Sequence, residues 1–391
     1  MKTMDFKTRT EIVPYDSPSK KNEWVIGLDL GYSGVKGWCA NKYFCFPSYV
    51  KAVPDGFSKL TSATDTDILY RDENGKIFYV GQLAYDLADA AHMTDNTEEL
   101  YGSDRYYTES YIIQSEVGTA IGLMSNQYGG PSDKEIVIQA GLPPLHLKKG
   151  KSEVQAIFKG RHHFFIKLGK QDWKEFDYEV SESNVFVMPQ PLGALISSSV
   201  GRDGRTIPNA MNFFRSSIMV FDPGFGTLDL FNVRNGNVVS SNTNPEGGMR
   251  KIFELTCDDI YAVYGIALSI PQLQTRLDSG EVSLSEKSTD SRKRTLRSHK
   301  YSFENMLIAN SRKVFDSVID ELVQVYNIAE NYKYILITGG TSDAWMEYIK
   351  EAFFEADTIK VVSANANDPS ISNIYSNARG YFFQRTNTKT A

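Results

Sequence analysis

The sequence predicts an α/β protein built as two similar lobes around a cleft, and three observations carry that prediction. A strand that ends in aspartate and breaks at once into glycines occurs twice, as Asp29-Leu-Gly31-Tyr-Ser-Gly34-Val-Lys36 and as Asp222-Pro-Gly224-Phe-Gly226-Thr227-Leu-Asp229. The two copies lie 193 residues apart, the mark of an internal duplication whose halves fold alike. The 391 residues also exceed the usual reach of one hydrophobic core. In both halves, strand-like runs give way to segments with apolar residues at helical spacing.

Taken in order, Met1 to Asn22 is polar and mixed in charge, and reads as an N-terminal tail that is neither a signal peptide nor an anchor. Trp24 to Leu30 is a strand, Gly31 to Gly34 a tight turn, and Val35 to Ala40 and Tyr43 to Phe46 further strands. Residues 51–105 are more polar, with turn signals at Pro54-Asp-Gly56 and Glu73-Asn-Gly75, and suggest a small inserted subdomain. Tyr107 to Met124 has helical spacing; Ile136 to Ala140 is a β-branched strand closed by Gly141 and Pro143-Pro144. The second half opens with strands at Ile218 to Phe221 and Leu228 to Val233, and Asn235-Gly-Asn237 is a hairpin turn. Helical patterns follow at Gly248 to Tyr264 and Phe303 to Tyr326, a strand at Tyr334 to Ile337, and a closing helix at Asn377 to Gln384. The expected organisation is a tail over 1–22, lobe I over 23–190 and lobe II over 191–354 with an insert near 251–302. Residues 355–391 then return to lobe I.

Composition excludes several classes. No apolar run approaches the roughly 18 residues that span a bilayer, so no membrane association is expected. The net charge of −6 argues against broad, direct binding to DNA. A local exception, Lys287 to Lys300 with Arg292, Lys293, Arg294 and Arg297, reads as a solvated loop or hairpin, or as a contact for an acidic partner. Cys39, Cys45 and Cys257 are odd in number and lack metal-ligand spacing, as expected of reduced thiols in a cytoplasmic protein.

The chemistry lies in the glycine turns. Glycine lets backbone N–H groups approach phosphate oxygens with no Cβ in the way. Asp29 and Asp222 would face the same phosphates, which requires an intervening divalent cation; Mg²⁺ suits because it keeps several waters and takes few protein ligands. Lys36 would add positive charge at the β- or γ-phosphate. Either turn alone is what an ordinary hairpin produces, and the matched pair is the informative observation. Ile335-Leu-Ile-Thr-Gly339-Gly340-Thr341-Ser342 offers exposed backbone on which a flat ligand can lie, or equally a helix entry with a hydroxyl cap. Met188-Pro-Gln190-Pro-Leu192 crosses between the halves, and a glutamine there can orient water, or merely cap a bend.

On these residues the chain, from Trp24 to Gln384, resembles the actin, Hsp70 and sugar-kinase superfamily, whose lobes share a ribonuclease H-like core and each carry an inserted subdomain. Asp29 to Lys36 is similar to its first phosphate loop, Asp222 to Asp229 to its second, and Gly339 to Thr341 to its adenosine motif. Pro189 to Ala194 and Ala378 to Gly380 resemble its two connecting segments. Val187-Met-Pro-Gln190 and Phe221 to Asp229 most resemble prokaryotic plasmid-segregation actins of the ParM type. The resemblance implies an ATPase that assembles into filaments and binds ATP or ADP with Mg²⁺. Plasmid DNA would be reached through a DNA-binding adaptor. Asp29 and Asp222 would face the metal; Gly31, Tyr32, Ser33, Gly34, Lys36, Gly224, Phe225, Gly226, Thr227, Gly339, Gly340 and Thr341 would hold nucleotide; Gln190, with Asp229, would position the attacking water. Tyr32 stands where actin has a phosphate-binding serine, and Phe225 replaces a glycine or polar residue. The alternative is a small-molecule kinase of the same fold, although no base for a substrate hydroxyl is evident. An Hsp70-like chaperone would need a C-terminal peptide-binding domain, and a non-enzymatic scaffold would not need intact phosphate-facing acids.

Overall fold

The structure, a computed structural model, describes residues 1–54, 64–86, 103–287, 296–354 and 358–387. The described residues between 11 and 189 contribute eleven strands: β1 (Glu11–Pro14), β2 (Glu23–Leu30), β3 (Gly34–Cys39), β4 (Lys42–Pro47), β5 (Val50–Ala52), β6 (Ile68–Asp72), β7 (Ile77–Val80), β8 (Glu135–Leu142), β9 (Gly160–Leu168), β10 (Lys174–Val180) and β11 (Val185–Pro189). The second half adds β12 (Ile218–Pro223), β13 (Leu228–Arg234), β14 (Asn237–Asn244), β15 (Glu281–Lys287), β16 (Leu296–Ser302), β17 (Tyr334–Ile337) and β18 (Lys360–Ser363). The described helices of nine or more residues are α1 (Glu109–Leu123), α2 (Pro144–Phe158), α3 (Gln190–Ser198), α4 (Met249–Tyr264), α5 (Glu304–Gln324), α6 (Gly340–Ala352) and α7 (Ser376–Asn387).

The duplication is a structural repeat. One sheet runs β1-β4-β3-β2-β8-β11 and its counterpart β14-β13-β12-β17-β18. The first opens with four antiparallel strands and the second with three, and in each two parallel strands follow, which the intervening helices make possible by crossing over the sheet. The central strands are buried on both faces, so they read as apolar runs such as Trp24 to Leu28. At the β13–β14 turn, Asn235 and Gly236 both have positive φ, as a two-residue hairpin requires.

Two expectations need correction. Residues 1–22 are not a tail: β1 pairs antiparallel with β4, Tyr15 is buried in the lobe I core, and Phe6 is buried in the lobe II core against Phe253. Polar neighbours mask these two aromatic anchors in the sequence. The small sheet β10-β9-β6-β7-β5 is built not only from residues of the 51–105 segment but also from the hairpin Gly160 to Val180. As expected, Pro143-Pro144 stops β8; it also starts α2, with proline in the first turn where its missing N–H costs nothing. Of the two readings of Lys287 to Lys300, the described residues fit the hairpin: β15 pairs antiparallel with β16 in a ribbon in which Val282 is buried. Its Arg292, Lys293 and Arg294, like the turn residues Asp55 and Gly56, lie outside the described residues. All three cysteines are free and buried, and no helix among the described residues is long and apolar enough to cross a membrane.

Candidate functional site

The two glycine turns are one turn made twice. Gly31 N–H donates to Gly34 O at 3.1 Å, and Gly224 N–H donates to Thr227 O at 2.8 Å. Asp29 sits opposite Lys36 in the β2–β3 register, and Asp222 opposite Asp229 in β12–β13. The N–H groups of Gly31 and Gly224 are therefore spent on closing their turns. Those of Ser33 and Gly226, again matched positions, have no acceptor among the described residues.

The turns face each other across a cavity of about 380 Å³, within the range of small-molecule sites. Its lining includes Asp29, Gly31, Tyr32, Ser33, Lys36, Gln190, Asp222, Gly224, Phe225, Thr227, Asp229, Gly339, Gly340 and Thr341. Gly34 and Gly226 are not on that wall. A Cβ at Gly34 would meet Thr8 at 2.7 Å, and one at Gly226 would meet the Tyr32 ring at 2.8 Å. Gly226 thus makes room for a tyrosine from the other lobe. Phe225 buries its ring beside Phe253 in the core of lobe II.

Three carboxylates in this wall, Asp29, Asp222 and Asp229, are each at most 4% exposed. Burial raises the pKa of Asp29 above its ordinary value. Burial, then the neighbouring Asp229 charge, pushes Asp222 up to about 7. Burial raises Asp229 to about 6, opposed by hydrogen bonds from Thr243 and Thr227. Each connecting segment holds one lobe's aspartate: Gln190 Nε2 donates to Asp29 Oδ1 at 3.2 Å, and Asn377 Nδ2 to Asp222 Oδ2 at 3.1 Å. Lys36 projects toward the first turn, since a Cβ on Gly31 would come within 2.8 Å of its Nζ.

The Gly-Gly turn after β17 is fixed by close approach. Gly339 has φ +84°, and a Cβ there would fall 2.3 Å from Asp222 Oδ1. Thr341 Oγ1 donates to Gly224 O at 2.9 Å, tying this turn to the second phosphate turn. Beneath the cavity, α3 and α7 cross at Gly193 and Gly380, where a Cβ on Gly380 would overlap Gly193 O at 1.8 Å.

Several residues on the wall were not singled out in the sequence. Asn377 lies one position before the recognised connection. Arg105 and Tyr106 lie at the end of the polar insert, where composition suggests surface. The segment from Met4 to Arg9, with Glu11, also lines the cavity. Phe6 and the Lys7–Asp278 ion pair fix it to lobe II, while β1 fixes it to lobe I. Aromatic residues in a polar stretch were the one available signal for it.

Two matched turns that offer acids and backbone donors to one cleft, with crossing helices below, define an actin-like fold. Residues 27–193 match the family described as actin like proteins N terminal domain. No curated protein matches the chain. Among solved structures, the pCBH ParM non-polymerisable quadruple mutant is 21% identical, with a TM-score of 0.67 over 94% of this chain and 100% of that one. ParM from a 15-stranded filament of Clostridium botulinum is 21% identical, with a TM-score of 0.63 over 93% and 99%. Ta0583, an archaeal actin homolog solved in complex with ADP, is 14% identical, with a TM-score of 0.58 over 93% and 100%. The chain therefore has the two-lobed fold of ParM and other prokaryotic actin homologues.

Proposed function

We propose that this chain is an ATPase that assembles into filaments in a nucleotide-dependent way, of the kind that segregates plasmid DNA. The observation that supports this reading most is the pair of matched aspartate–glycine turns facing one cavity. Three buried acids sharing a wall with a lysine are costly unless a cation and phosphates compensate them. That donor set fits Mg²⁺ with most of its waters retained, with Asp29 and Asp222 facing it; when bound, it would neutralise phosphate charge.

The chain's own residues do the rest. Ser33 N–H and its backbone neighbours receive phosphate oxygens, and Lys36 adds positive charge. The Gly339–Thr341 turn offers bare backbone to the adenosine. Gln190, held by Asp29 at the head of α3, orients water at the terminal phosphate, with Asp229 across the cleft. Gln190 and Asn377 lie on the segments that join the lobes, so nucleotide state and lobe angle are linked, and filament contacts that favour one angle shift nucleotide affinity in turn. The relatives solved as a filament and with ADP lend this reading support by their fold. DNA would be reached through an adaptor, consistent with the net charge of −6.

Pelleting and turnover assays with ATP, ADP and no nucleotide test the proposal. Sedimentation with ATP and its loss as ADP accumulates is the expected result. A chain that hydrolyses ATP but stays monomeric at tens of micromolar would instead fit a small-molecule kinase.

A further inference from the structure

The described cavity holds a cation that no step above uses. Arg105 is 6% exposed, and among the described residues no carboxylate lies within ion-pair distance of it. Its guanidinium is clasped between two rings, 4.7 Å from the centre of Tyr32 and 5.0 Å from that of Tyr111. Nη2 donates to Gly31 O, inside the first phosphate turn, at 3.1 Å. That uses one of five N–H donors. Among the described residues no acceptor takes the remaining donors, and Arg105 lines the cavity.

A buried guanidinium without a carboxylate is expensive, and a single backbone carbonyl with two rings returns only part of the cost. Its planar fork suits a tetrahedral oxyanion. Position selects which one. Arg105 touches the first turn and bears on Asp29 and Tyr32, whereas the Gly-Gly turn abuts Asp222 in the other lobe. The arginine thus stands on the first-turn side of the cavity and the Gly-Gly turn on the Asp222 side, so a nucleotide with its adenosine on the latter would extend its phosphate chain toward the former. We infer that Arg105 engages the terminal phosphate oxygens of a bound nucleoside triphosphate and so discriminates it from the diphosphate. The inference rests on the nucleotide reading above.

The site is also wired outward. Arg105 O accepts from Thr108 Oγ1 at 2.8 Å, and Thr108 Oγ1 caps α1 by accepting from Tyr111 N–H. A phosphate that draws Arg105 inward therefore pulls on the first turn of α1 and on the Tyr32 ring that rests against Gly226.

Calorimetric titration of the full chain with Mg²⁺ and either ADP or a non-hydrolysable ATP analogue tests this, using wild type, R105M and R105K. R105M should lose about 10- to 100-fold in analogue affinity, the scale of one or two charge-assisted hydrogen bonds, with ADP affinity changed less than about threefold. R105K, which keeps charge but not the fork, should fall between. An equal loss for both nucleotides marks a merely structural arginine and overturns the inference, as does no loss for either. If R105M does not fold, an unchanged analogue-to-ADP ratio in R105K overturns it alone. A wild type that binds neither nucleotide overturns the nucleotide reading and this inference together.

Discussion

Replacing Gly380 with alanine tests whether the helix crossing beneath the cavity is as tight as its geometry indicates. The new Cβ would lie 1.8 Å from Gly193 O, 2.5 Å from its C and 2.8 Å from its Cα. Ordinary contact needs roughly 3.3 Å, so α3 and α7 would have to part by about 1.5 Å. Helix α7 has nowhere to retreat. On its far side Ala378 O already sits 2.3 Å from where a Cβ on Gly27 of β2 would be, and the Tyr381 ring fills the space over Gly141 of β8. Overpacking of this kind costs about 1–3 kcal/mol when side chains can yield, and here the obstacle is backbone. Alanine's better helix propensity returns about 1 kcal/mol, leaving a net loss of about 2 kcal/mol or more. Denaturant unfolding measures it. Gly340→Ala is the control, since its Cβ would rest 3.8 Å from Ile374 Cγ2 and should leave stability within about 0.5 kcal/mol. Gly380→Ala unfolding at or beyond the wild-type midpoint would refute the reasoning.

Three further outcomes are expected. Gln190→Ala should slow ATP turnover about 10- to 1000-fold while sparing nucleotide affinity and assembly, so that filaments persist; steady-state turnover and light scattering check both. Phe6→Ala should destabilise by about 3 kcal/mol in denaturant melts, because the ring is buried in the lobe II core beside Phe253. With chelator and no nucleotide, Asp222→Asn should stabilise the chain at pH 8, on the order of 3 kcal/mol, because burial lifts this carboxyl to about 7. A raised folded-state pKa contributes stability at low pH that is lost as pH rises through 7, so the gain from Asn should shrink below pH 7 and vanish near pH 4; thermal melts across that range follow it.

What the sequence disclosed was local. The two aspartate–glycine turns, the Asn235-Gly236 hairpin and the strand Tyr334 to Ile337 are each set by a few adjacent residues, and their 193-residue spacing carried the two-lobed plan. Pairings between distant segments were not legible. The Gly160 to Val180 hairpin joins β6 by contacts across some ninety residues that leave no trace in either strand's own pattern. The same holds within the site. Gln190 lies in a recognisable bend, but its hold on Asp29 spans 161 positions. Arg105 looks like one more charge in a polar insert until the fold places it between two tyrosines. Gly226 reads as a phosphate contact because glycine is ambiguous between approach by a ligand and approach by a side chain; here the occupant is Tyr32.

The first dozen residues give the cleft a leash. Phe6 is sunk in one lobe and Glu11 opens a strand in the other, with only Lys7 to Thr10 strung between them. Five Cα-to-Cα steps at about 3.3–3.6 Å reach at most about 18 Å when pulled straight. Were the lobes to swing about the two helical connections, this third crossing would set how far. A gape wider than that would have to draw an aromatic plug from its socket or unzip the outermost strand of a sheet, a limit written in chain length.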